Sequence, residues 1–95
     1  MLTGKQRAKL RSMANGIPAL YQIGKDGISE NVLKQFDEAL EARELIKVHV
    51  LDSALLDTRE TADGIAKQLG ADTVQTIGSK FVLYRRSENN PKIEL

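Results

Sequence analysis

Two glycines three apart, Gly24 and Gly27 in the stretch QIGKDGISENVL, stand where an apolar run meets a helical pattern. Glycine admits positive φ and lets a sugar–phosphate chain approach without meeting a Cβ. The loop opens into a helix, whose free N–H groups and positive dipole end favour an anion. Lys25 adds a mobile positive charge, whereas Asp26 would repel a phosphate. Phosphate-backbone binding is thus the chemistry this stretch offers. A plain chain reversal is the alternative.

Other chemistries find less support. The glycine spacing fits neither a P-loop nor a dinucleotide fingerprint. The chain has no cysteine and a single histidine, His49, so thiolate and histidine-rich metal centres are excluded. Its carboxylates fall at helix-surface positions beside lysines and arginines, where solvation is the ordinary role. No catalytic residue, metal, cofactor or small-molecule substrate is therefore expected.

Charge is unevenly divided. Residues 1–25 carry Lys5, Arg7, Lys9, Arg11 and Lys25 with no acid, a net +5, while residues 26–65 sum to −6 and residues 66–95 to +2. A total of +1 conceals a basic beginning of the kind that binds polyanions. A solvated helix face is the plainer alternative. No apolar run reaches the roughly 20 residues that span a bilayer. The first residues show no apolar stretch of signal-peptide type, so the cytoplasm is the expected location.

The elements that must position these residues follow from periodicity and caps. Thr3 starts a first helix to about Ala14, with Leu10 and Met13 on its apolar side. Lys5 and Lys9 flank that stripe on one side, Arg7 and Arg11 on the other. ANGIP ends the helix, with glycine suited to a left-handed C-cap. ALYQIG forms a short strand before the glycine loop. Ser29 caps a second helix to about Ala42 that buries Val32, Leu33, Phe36 and Leu40.

LIKVHVL alternates, with Ile46, Val48 and Val50 on one face and Lys47 and His49 on the other. Asp57 opens a third helix that Gly70 ends, and TVQTI and KFVLYR make a hairpin about Gly78-Ser79. The order αβαβαββ predicts a two-layer α/β sandwich with a mixed four-stranded sheet. Crossovers through the second and third helices favour parallel neighbours, and the last pair is antiparallel. Residues 1–87 form the domain, and 88–95 are expected to be a loosely ordered tail.

A KH domain clamps the nucleotide backbone with a G-x-x-G loop. LTGKQRAKLRSMAN, then IPALYQIGKDGISENVLKQFDEALEARELIKVHV, then DTRETADGIAKQLGADTVQTIGSKFVLYR together resemble the bacterial YhbY-type, stand-alone form of the CRM domain, the chloroplast RNA splicing and ribosome maturation module. The resemblance runs from Leu2 to about Arg85. It implies an RNA-binding fold similar to the C-terminal domain of translation initiation factor 3, and association with rRNA in precursors of the large ribosomal subunit.

On that resemblance Gly24, Lys25 and Gly27 match the family's glycine loop, with Asp26 at its variable position. Lys5, Arg7 and Lys9, with Arg11 beyond them, belong to its basic first helix. Arg85 ends the VLYR strand, where it contacts RNA or caps an edge. Four aromatic residues, Tyr21, Phe36, Phe81 and Tyr84, make a poor stacking platform, so backbone and shape recognition is expected. The expected state is a non-catalytic monomer that binds RNA and no membrane. A protein-binding adaptor using the acidic second helix is the alternative function.

Overall fold

A computed structural model describes residues 2–95, and its helices begin where side chains satisfy free backbone N–H groups. Helix α1 (Gly4–Ala14) starts at Thr3, whose hydroxyl accepts from Gln6 N–H while Gln6 reaches back to Thr3 N–H, a complete capping box. Ser29 caps α2 (Glu30–Arg43) through Val32 N–H, and Asp57 caps α3 (Thr58–Leu69) through Glu60 N–H. The strands are β1 (Tyr21–Ile23), β2 (Leu45–Val50), β3 (Asp72–Ile77) and β4 (Lys80–Tyr84). No helix among the described residues is long and apolar enough to cross a membrane.

The sheet is mixed, in the order β1-β2-β4-β3. β1 and β2 are parallel, as the crossover through α2 requires, and β3 and β4 form the antiparallel hairpin about Gly78-Ser79. The second crossover departs from expectation. β4 inserts between β2 and β3, pairing antiparallel with both, so the strands flanking α3 are not neighbours. Phe81, Val82, Leu83 and Tyr84 are all buried, and a strand apolar on both faces belongs in the middle of a sheet. The more polar β3 takes the edge.

The two layers predicted from sequence are present: Ile46, Val48, Val50, Phe81 and Leu83 of the sheet meet Phe36, Leu40, Ala62 and Ile65 of α2 and α3. Helix α1 adds a partial cover on the opposite face. Leu10 and Ala14 bury Leu45, Val74, Val82 and Tyr84 there, while Met13 stays 38% exposed, unlike its expected place on the apolar side. A bulge between Thr73 and Gln75 places Val74 in this second cluster. The α1 C-cap also differs. Asn15 is right-handed and Gly16 does not take positive φ, because Gly16 N–H closes a tighter turn on Met13 O.

The segment after Ser87 lacks regular structure, yet it is tied down, contrary to the loose tail expected. Glu41 accepts from the Ser87 hydroxyl at 2.6 Å and from Glu88 and Asn89 N–H at 3.0 and 3.1 Å. Glu44 accepts from Ser87, Lys92 and Ile93 N–H at 2.8, 2.6 and 2.7 Å. Ile93 packs beside the α1 cluster. Sequence proximity could not reveal this, since each carboxylate lies more than 40 residues from its donors.

These bonds make the tail pH-sensitive. The Ser87 hydroxyl first, then the Glu88 and Asn89 N–H groups, lower the Glu41 carboxyl from 4.5 to about 2. A carboxyl depressed in the folded state contributes stability above its unfolded value and loses it as pH falls through the folded one. The tail is therefore expected to stay docked above about pH 4.5 and to release progressively towards pH 2. Hydrogen exchange at Glu88 and Asn89 followed across that range checks it. Full protection at pH 2 would contradict this account.

Candidate nucleic-acid interface

The glycine loop sits at the carboxyl end of β1, an edge strand, immediately before the α2 cap. Gly27 N–H donates to Gly24 O at 2.9 Å, closing a tight turn, and Gly27 takes φ +67°. That conformation is the physical reason for a glycine at 27. Gly24 has ordinary φ, and a Cβ there would meet only Leu51 Cδ1 at 3.8 Å, so its backbone conformation does not demand glycine. Among the described residues, no acceptor takes the N–H groups of Lys25 and Asp26. Both side chains are exposed, and neither makes a hydrogen bond or ion pair with the described residues. The turn thus presents free donors and one mobile cation to solvent, with one carboxylate beside them.

The basic first helix divides as its periodicity predicts. Lys5 and Lys9 border the tail, where Lys9 Nζ donates to Glu94 O. Arg7 and Arg11 turn to the other sheet edge, where Arg7 Nη1 donates to Thr73 O on the free side of β3. The structure therefore does not bring α1 and the glycine loop together on one edge. It joins Arg7 and Arg11 instead to Arg59 and Lys67 of α3, two cations that sequence reasoning missed. Their signal was present: Arg59, Asp63 and Lys67 recur every four residues, away from the apolar stripe of α3.

Arg85 serves the fold. Its guanidinium pairs with Asp37 Oδ1 at 2.6 Å, bonds Asp37 O at 2.9 Å and bonds Leu69 O at 3.0 Å. Strand β4 is thereby fastened to α2 and to the end of α3, so of the two roles the sequence left open for Arg85, RNA contact or an edge cap, these contacts match the structural one. His49 lies, as expected, on the face away from α2 and α3, in a cross-strand row with Gln22, Lys80 and Ile77 that α1 leaves uncovered. This row is the open part of the second sheet face.

Comparison with known proteins agrees with this architecture. Residues 2–85 match the CRS1 / YhbY (CRM) domain. The chain is 48% identical over 95 residues to Probable RNA-binding protein YqeI of Bacillus subtilis, covering 100% of this chain and 99% of that one. It is 36% identical over 94 residues to an RNA-binding protein of Haemophilus influenzae, covering 99% of this chain and 94% of that protein. The solution structure of the hypothetical protein SAV1595 from Staphylococcus aureus superposes with a TM-score of 0.79 at 48% identity, over 100% of this chain and 99% of that one. With the family model matching residues 2–85 and a relative 48% identical over the whole chain, the chain belongs to the CRS1/YhbY (CRM) domain family.

Proposed function

We propose that this protein binds RNA without catalysing a reaction, and that its RNA is rRNA in precursors of the large ribosomal subunit. The observation that carries the reading is the Gly24–Gly27 turn, whose Lys25 and Asp26 N–H groups have no acceptor among the described residues and lie beside an exposed lysine. Free donors at a helix entrance favour a phosphate oxygen. Family membership and the RNA-binding names of the relatives support RNA as the source of that phosphate. The rRNA assignment rests on the family resemblance, and the proposed setting is a cytoplasmic monomer.

The adaptor alternative loses support from the geometry. Asp37, Glu41 and the cap residue Glu44, which would present the acidic surface, are engaged by Arg85 and the tail. Retention on immobilised RNA across a salt series separates the two readings, since phosphate contacts release counterions and weaken steeply with salt. The protein is expected to elute early as salt rises. Sequencing RNA that copurifies with the tagged protein from its own cells is expected to return large-subunit precursor rRNA. Salt-independent retention, or a pool without rRNA enrichment, would sink the corresponding half of the proposal.

A further inference from the structure

The groove between α1 and α3, along the free edge of β3, holds four cations: Arg7, Arg11, Arg59 and Lys67. Its volume is about 750 Å³, and Asp63 and Asp72 are its acids. The only ion pair among the described residues is Arg85–Asp37, so no carboxylate pairs directly with any of the four. Arg11, Arg59 and Lys67 are exposed, while Arg7 is half-buried and oriented by Thr73 O. Arg59 and Lys67 are eight residues apart on one helix face, about 12 Å along its axis, and Arg7 and Arg11 are about 6 Å apart on theirs. Two short rows of unpaired cations thus face one open trough.

We propose that this groove is a second phosphate-binding site, taking the sugar–phosphate backbone of RNA independently of the glycine loop. The proposal rests on the RNA-binding reading above and adds residues of α3 that nothing in that reading uses. Backbone recognition follows from the lining, which contains no aromatic ring on which a base could stack. Independence follows from topology. β1 and β3 are opposite edges of the sheet, three strand spacings or about 14 Å apart, beyond a Debye length at physiological salt. RNA that fills both sites must cross the sheet, or be held as two separate segments.

The test compares the parent, Arg59→Gln with Lys67→Gln, and Lys25→Gln, each checked for an unchanged melting temperature. Two RNA duplexes of unrelated sequence and a polyglutamate peptide serve as labelled probes. The α3 pair is expected to lose about tenfold in affinity for both duplexes near 0.15 M salt, with the salt slope falling by about 1.5 to 2. Combined with Lys25→Gln, the losses should add in free energy, as for sites without shared partners. A parent without salt-sensitive RNA binding overturns the RNA reading itself. A parent that binds RNA, with Lys25→Gln weakened but the α3 pair unchanged, overturns only the groove. Loss confined to polyglutamate overturns it too, giving the groove to an acidic polypeptide.

Discussion

Glu44→Ala should cost about 3 kcal/mol of stability, because it leaves three tail N–H groups without their charged acceptor. Glu44 is fully buried at the end of α2, and its backbone carbonyl also takes Arg85 N–H. Burial opposes ionisation there, but the Ser87, Ile93 and Lys92 N–H groups outweigh it, and the carboxyl lies below its ordinary value. Alanine would keep the positive φ of 67° and lose the compensation for it. In a domain of this size such a loss lowers Tm by at least about 10 °C. Glu44→Gln, which retains one acceptor oxygen, should fall between the parent and the alanine variant. Hydrogen exchange locates the effect, with protection lost at Ser87, Lys92 and Ile93. A melting temperature unchanged in Glu44→Ala would show that the tail adds nothing to the fold.

Asp26→Lys should raise RNA affinity about tenfold and steepen its salt dependence. Asp26 is exposed and makes no hydrogen bond among the described residues, so its replacement leaves the turn, held by Gly27 N–H on Gly24 O, intact. A unit charge at 4 Å is worth about 1 kcal/mol in water. The substitution removes a repulsion and adds an attraction, a change of two unit charges beside the proposed phosphate. If the turn only reverses the chain, the same charges lie beyond the screening length and affinity stays flat. A filter-binding titration of the folded variant at two salt concentrations decides it. Equal affinity for parent and variant would leave the loop as a turn.

The elements were legible because their causes are local. Thr3, Ser29 and Asp57 satisfy N–H groups three residues on, and the apolar spacings of Phe36 with Leu40 and of Ile65 with Leu69 lie within one or two helical turns. The Ile46, Val48 and Val50 alternation fixes a buried strand face, and Gly27 and Gly78 mark positive φ where turns need it. The separation of Lys5 and Lys9 from Arg7 and Arg11 is likewise a consequence of helical pitch. The place of β4 was half legible, for FVLY is apolar without alternation and TVQTI is not.

Tertiary structure alone decided which distant groups meet. Arg85 stands 48 residues from Asp37, and Glu44 stands 49 from Ile93, so no periodicity links either pair. Arg7 reaches a carbonyl 66 residues away and shares one groove with Arg59 and Lys67. The sequence by itself determined the helices, the strands, the glycine turn and the basic first helix, because caps and periodicities act over a few residues. The strand order, the docked tail, the structural use of Arg85 and the four-cation groove came from packing, because their free energies depend on partners that only the folded chain brings into contact.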